Sequence, residues 1–317
     1  MQAGNLLILL LQAPIIGLIL FFLAGSGTFG TSSIVTCPVR PGATSGPVSC
    51  GRIVNFLKTP QGQQEAQAQE PGVPLAQAQN DFLNNAIEVG SGGDAQKIIF
   101  IMSFAAVMFG CINSAREIVK EGPIYRRERT VNLGIVPYMF SKIVVLGILC
   151  LVQSAILVIF VQIKSPFQWS VFLPPPIEIY ISMALTSLAG LMLGLAISAI
   201  APNNDRAMSF IPIILIPQVI FSGIIFALDN PGLQFLGSFF AARWSMAAMG
   251  STIGLHGDKL GSGSDFAYRG TLFTTVNGST QGTAVAHLLL MWFALAAMII
   301  LLGLATAYFL KRKDVRA

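Results

Sequence analysis

The sequence predicts an all-α polytopic membrane protein with six transmembrane helices, and three observations carry that expectation. Hydrophobic residues make up 54% of the 317 and charged residues only 10%, where a soluble domain carries about a quarter charged. The mean hydropathy is +0.71, and several apolar runs approach or exceed the ~20 residues needed to cross a hydrocarbon core. The basic residues sit beside those runs. The net charge of +5 therefore reads as loop asymmetry and not as a signal for nucleic acid.

The first span covers Leu6 to Leu23 and contains Pro14. It begins almost at Met1 with no basic n-region, which argues against a secretory signal, although Ala24-Gly25-Ser26 also fits a cleavage site. Residues 25–95 form a polar, partly disordered external loop. PVRPGATSGPVSCG is turn-forming and TPQGQQEAQAQEPGVPLAQAQND is of low complexity, with one short helix expected around Phe82 to Val89. GSGTFG at Gly25 to Gly30 matches GxGxxG literally, but it follows a span and opens no helix, so the dinucleotide context is missing. Cys37 and Cys50 lie in this loop and form a possible disulfide if it faces an oxidising compartment.

The second span runs from Ile98 to about Ser114 and passes into REIVKEGPIYRRERTVNLG, Arg116 to Gly134. This polar interruption carries five basic residues (Arg116, Lys120, Arg126, Arg127, Arg129) and three acids (Glu117, Glu121, Glu128). The helix can continue through Lys120 until Gly122-Pro123 breaks it, and Pro123 suits the first position of a second short helix. Arg116/Lys120 and Glu117/Glu121 are like-charged pairs at i,i+4, mildly unfavourable on an isolated helix. Such pairs suit charges that find counterions elsewhere, on another protein or on lipid headgroups. Composition alone is equally compatible with a basic loop obeying the positive-inside rule.

The third span runs from Val136-Pro137 to Ile163, with Lys142 near its start where the stem can snorkel. SPFQW and Pro174 to Pro176 form a tight connection to the fourth span, Ile177 to Ile200, whose SLAGLMLGLAISA permits close helix packing. The fifth span, Phe210 to Leu228, contains Pro212 and Pro217 and needs neighbours to satisfy the freed carbonyls. Residues 229–283 form a second long loop with an amphipathic piece, FLGSFFAARWSMAAMGS, in which Arg243 and Trp244 suit a headgroup-level anchor. The last span is Ala284 to Leu310, closed by KRKDVRA.

Charge counting sets the orientation. With the polar interruption cytoplasmic, that side takes Arg116, Lys120, Arg126, Arg127, Arg129, Lys142, Arg206, Lys311, Arg312, Lys313 and Arg316, which is 11 of the 19 basic residues, all in short segments. Both termini are then cytoplasmic, in a multi-pass protein of the cell membrane.

LLLQAPIIGLIL, FGCINSAREIVKEGPIYRRERTVNLGIVPYMFSK, FSGIIFALDNP and ARWSMAAMG resemble the membrane domain of type-2 ABC exporters, nearest the white/pigment-type G subfamily. The resemblance covers nearly the whole chain apart from residues 25–94. It implies a cytoplasmic coupling helix at about 116–133, with Glu117 and Glu121 anchoring a relay at the base of span two and Ile124, Tyr125, Arg126, Arg127, Glu128 and Arg129 touching an ATPase. It also implies re-entrant helices within 229–283 and a second membrane subunit, identical or related. Two departures stand out: Met246-Ala247-Ala248 replaces an acid expected after the Arg-Trp pair, and the first external loop is longer than usual.

No GxxxxGK[ST] phosphate loop occurs, so ATP and Mg²⁺ are expected on a partner ATPase, either another chain or an upstream portion, with no cofactor in this one. Enzymatic cues are poor. There are two histidines, His256 and His287, and no HExxH or paired CxxC; His287 near Trp292 suits the interface better than a metal. Glu178 reads as a headgroup-region acid, with a proton-carrying role kept open. Asn277-Gly278-Ser279 is a literal glycosylation acceptor. In the exporter reading, Phe104, Met108 and Cys111 on span two and Pro217, Ile220, Phe221 and Ile224 on span five line an apolar path for lipid-like cargo. The bland alternative is that each packs against its neighbours, Cys111 and Cys150 included. The alternative function is a non-transporting membrane anchor built on the same scaffold.

Overall fold

The computed structural model of the chain describes residues 3–30, 35–36, 56–69, 71–75, 77–79, 82, 88–89, 93–122, 125, 127, 134–168, 170–224, 231–253 and 280–315. They form ten helices and one minimal β-pair. In chain order these are α1 (Ala3–Leu23), β1 (Val35–Thr36), α2 (Pro60–Gln69), β2 (Glu88–Val89), α3 (Gly93–Ser114), α4 (Glu117–Lys120), α5 (Ile135–Lys164), α6 (Pro175–Ile200), α7 (Asn204–Ile220), α8 (Pro231–Gly237), α9 (Ala241–Ile253) and α10 (Thr280–Val315). Among the described residues, four helical stretches are long and apolar enough to cross a membrane: α3 with α4, α5, α6 and α10. Helix α1 is apolar over 21 residues and α7 is shorter, at 17.

The long helices alternate in direction. Phe29, just after α1, stacks on Phe167, just after α5, with ring centroids 4.6 Å apart. The C-terminal ends of α3, α6 and α10 converge at the opposite end, where Ile118, Ala199 and Leu310 share one buried cluster. The end carrying α4 is the elbow end.

Helix α6 is the centre of the bundle, because its residues let backbones touch. A Cβ added to Gly194 would stand 2.6 Å from the Cys111 carbonyl oxygen, and one on Gly190 would stand 3.0 Å from the Val107 Cα. Gly110 faces the backbone at Ser187 to Leu191 in the same way. Between lipid-embedded helices the hydrophobic drive is weak, so this glycine crossing of α3 and α6 supplies dispersion contacts at the shortest range available. The Ser114 hydroxyl adds to it, shared between the carbonyls of Gly110 at 2.7 Å and Leu191 at 2.8 Å. Away from the crossing, α5 and α10 leave apolar side chains such as Phe140, Ile148, Phe293 and Leu304 exposed along one flank, as a lipid-facing surface requires.

Helix boundaries follow local chemistry. Pro175 and Pro176 occupy the first turn of α6, where their missing N–H groups are not needed. Asn203 caps α7 by accepting from the Arg206 N–H at 2.9 Å. That cap starts the helix six residues before the expected Phe210, and the chain leaves it at Phe221 and turns at Gly223 with φ of 84°. Residues 225–228, the end of the expected fifth span, lie outside the described residues.

In the long first loop a helix forms at Pro60–Gln69; of the short helix expected around Phe82 to Val89, residues 83–87 lie outside the described residues. The low-complexity segment closes on Leu57, Ala66 and Ala78, and the Gln79 side chain donates to the Leu57 carbonyl at 2.7 Å. Glu88 and Val89 are instead extended and pair antiparallel with Thr36 and Val35. This pair is the one departure from an all-helical chain among the described residues. Cys37 and Cys50 lie outside them.

Candidate functional site

The elbow end concentrates the charge. Helix α3 stops at Ser114, the chain bends at Ala115-Arg116, and α4 sets off from Arg116, which supplies no side-chain cap. A helix start without a cap leaves N–H groups unsatisfied. Ser198, fully buried on α6, fills the gap: its hydroxyl oxygen accepts from the N–H groups of Ile118 and Val119, both at 3.0 Å.

The acids face inward. Lys142 on α5 donates to the Glu121 carboxylate and sits 3.7 Å from that of Glu117. Tyr138 donates its hydroxyl to Glu121 at 3.4 Å, stacks on Tyr125 at 4.7 Å and lies beneath the Lys142 ammonium. The expectation that Glu117 and Glu121 look outside the chain for counterions is therefore corrected. Their cation is Lys142, one helix away in the same chain, and it stays at the elbow instead of snorkelling to lipid. A cavity of about 200 Å³ lies against this cluster, lined by Glu117, Lys120, Glu121, Ser141, Lys142 and Val145.

The cations Arg116, Lys120 and Arg127 are exposed. Below them Ile118 and Tyr125 are buried with Met139, Leu195 and Leu310, so the bend rests on α5, α6 and α10 together. The bend is braced: acids and apolar residues fix it from behind, and its exposed face carries Arg116, Lys120 and Arg127. Ile124, Arg126, Glu128 and Arg129 lie outside the described residues.

One turn further in, a buried polar bridge ties three helices. The Asn113 amide donates to Gln153 at 2.7 Å, and the Gln153 amide donates to the Leu9 carbonyl of α1 at 2.6 Å. Ser154 and Ser187 meet at 3.2 Å beside it.

The opposite end revises three readings. Glu178 is not among headgroups. It is fully buried, and its carboxylate accepts from the backbone N–H groups of Val171, Phe172 and Leu173 at 2.7–3.1 Å. Arg243 is 3% exposed and donates to the Gln234 carbonyl, so it is no surface anchor. It lies in α9, which is buried along its whole length except at the half-buried Trp244 and packs against α3, α6 and α10. His287 approaches Ser251 of α9 at 2.9 Å. The Ser251 proton is committed to the Ala247 carbonyl at 2.8 Å, so the serine accepts from the ring and is not primed as a nucleophile.

Residues 55–253, well over half the chain, match the family described as ABC-2 type transporter. The chain belongs to that family. It is also 34% identical over 163 residues to an ABC transporter ATP-binding/permease protein of Mycobacterium tuberculosis, a stretch that covers 50% of this chain and 19% of that relative. ABC-2 domains are the non-catalytic membrane permease parts of transporters and work with ATPase partners. The chain spans about a fifth of the relative it matches.

Within this ABC-2 domain the residues expected on a substrate path are not all alike. Phe104 and Met108 are half-buried beside Ile211 and Leu215 of α7, so α3 and α7 do meet there. Cys111 is fully buried against Gly194 on the α6 side. Pro217 and Ile224 are half-buried, Ile220 is 38% exposed, and Phe221 stacks on Phe240 at 4.8 Å. Sequence reasoning missed Ser198 and the role of Lys142. The one available signal was a lysine at the head of an apolar helix facing two acids across a short loop.

Proposed function

We propose that the chain is the transmembrane permease subunit of an ATP-driven exporter of the white/pigment-like branch, moving a hydrophobic or amphipathic, lipid-like cargo out of the cytoplasm by alternating access. The observation that carries this reading is the elbow: a cationic face braced by Lys142, Tyr138 and the α5–α6–α10 cluster. A loop that merely re-entered the bilayer would need no such bracing. A lever pushed by a nucleotide-driven partner does, because a soft contact would dissipate the push.

The alternating helix directions fit six crossings by α1, α3, α5, α6, α7 and α10, with the elbow and both termini in the cytoplasm. Two copies, or this chain with a related one, would enclose a path between α3 and α7. The apolar character of the exposed Ile220 and the half-buried Phe104, Met108 and Phe221 supports apolar cargo over ions or sugars. ATP and Mg²⁺ belong to the ATPase partner. Helix α9, buried in the far end, would be the re-entrant element on the exit side.

The test is crosslinking. Lys120→Cys, exposed on the lever, is expected to crosslink to the ATPase in the membrane-embedded complex. A complex that hydrolyses ATP without any adduct from Lys120→Cys or Arg126→Cys overturns the coupling role.

A further inference from the structure

Helix α4 is anchored through its backbone to α6, by Ser198, and this contact has a consequence for how a push at the elbow spreads. The elbow is covalently continuous with α3, so α3 alone would be the expected recipient of the stroke. Yet α4 has no side-chain cap of its own, and two of its first-turn N–H groups, those of Ile118 and Val119, end on one hydroxyl of a different helix. That oxygen has two lone pairs and both are used. Four residues back along α6, Gly194 lies backbone to backbone with Cys111, and Ser114 shares its proton with the Leu191 carbonyl. Elbow, α3 and the cytoplasmic half of α6 are thus joined at consecutive turns, with no side chain long enough to give slack.

We propose that Ser198 is a positioning residue for coupling: by capping α4 in trans, it delivers the motion of the elbow to α6, so that α3 and α6 move as one body. Helix α6 in turn packs against α5, α9 and α10, which places the exit-side helix α9 within reach of the same movement. The inference rests on the exporter reading above and specifies which helix carries its stroke inward.

The experiment is hydrogen–deuterium exchange on the complete complex with its ATPase, nucleotide-free and trapped with ATP and vanadate. It compares the unchanged chain with Ser198→Ala, Ser198→Thr and the near-isosteric Ser198→Cys, whose sulfur is a weak acceptor. In the unchanged chain, trapping is expected to alter exchange at both 115–122 and 195–203. In Ser198→Ala and Ser198→Cys the amides of Ile118 and Val119 should exchange roughly tenfold faster, as for a lost N-cap. The response at 195–203 should vanish while that at 115–122 persists, and Ser198→Thr should restore it. If Ser198→Ala does not fold, Ser198→Cys gives the same reading. A response at 195–203 that survives loss of the hydroxyl overturns the proposal, as does an unchanged chain in which 115–122 responds and 195–203 does not. If neither segment responds to trapped nucleotide, the exporter reading itself fails and takes this inference with it.

Discussion

Replacing Glu178 by glutamine is the sharpest test of how the far end of the bundle is held. The side chain keeps its size and loses one acceptor, while its new NH₂ group is turned toward a site made only of donors: the N–H groups of Val171, Phe172 and Leu173. A hydrogen bond to a charged group is worth about 1.5–3 kcal/mol. Oε1 accepts from all three N–H groups and Oε2 from Val171 alone, so an amide oxygen in the Oε1 position keeps three hydrogen bonds to a neutral acceptor, worth about 0.5–1.5 kcal/mol each, while Val171 also faces an NH₂ group. A loss of about 1 kcal/mol at each of the three bonds, as a charged acceptor becomes a neutral one, gives a total near 3 kcal/mol. At roughly 2–4 °C per kcal/mol for a chain of this order of size, the unfolding midpoint falls by about 6–12 °C. The assay is the thermal shift of intrinsic tryptophan fluorescence in detergent, with Glu178→Ala beside Glu178→Gln. The reasoning requires the near-isosteric glutamine to be clearly destabilising, and alanine, which removes every acceptor from the three N–H groups, to be more so. A Glu178→Gln protein that melts within a degree or two of the unchanged chain refutes it.

Other expectations follow from the crossing, the lever and the polar bridge. Gly194→Ala places a carbon 2.6 Å from the Cys111 carbonyl oxygen, so α3 and α6 must part; the cost is about 1–3 kcal/mol, read as a lower melting temperature, and Gly122→Ala, in open space, should cost much less. Lys142→Met leaves Glu117 and Glu121 side by side with side chains 15% and 33% exposed, and should loosen 117–122 as seen by faster amide exchange. The charge-swapped pair Lys142→Glu with Glu121→Lys should recover part of that loss. Gln153→Leu strands the Asn113 amide and costs about 1–2 kcal/mol, whereas the double change Asn113→Leu with Gln153→Leu removes both polar partners and should recover most of it in a double-mutant cycle.

The apolar runs made the long helices legible because a chain that must satisfy its backbone in lipid has few alternatives to a helix. The glycines of the fourth span were legible too, since small residues at that spacing have no other use than close approach. The bend after Ser114 was legible as a polar interruption, but its internal counterion was not. Lys142 lies 21 positions beyond Glu121, and nothing in a linear pattern distinguishes a lysine that turns to a neighbouring helix from one that turns to lipid. Ser198 was invisible for a related reason, because a serine near a helix end is unremarkable until another helix start is found uncapped beside it. Glu178 escaped because its partners are backbone groups. In hindsight the triple proline was the clue: Pro174 to Pro176 offer no N–H, so an acid two residues on reaches back to the last three donors before them. Arg243 misled because arginine beside tryptophan suits a headgroup layer, while the surrounding Ala, Ser, Gly and Met, small or unbranched on every face, already suited enclosure.

The short antiparallel pairing of Val35–Thr36 with Glu88–Val89 brings together the two ends of the stretch between the first two long helices. Lengthening a loop whose ends are already clasped adds little entropic cost, so the length of chain between the two strands is free to drift. Exchanging residues 37–87 for a short turn should leave the bundle's melting behaviour intact, so this insertion could be lost, enlarged or swapped in evolution without retuning the helices it joins.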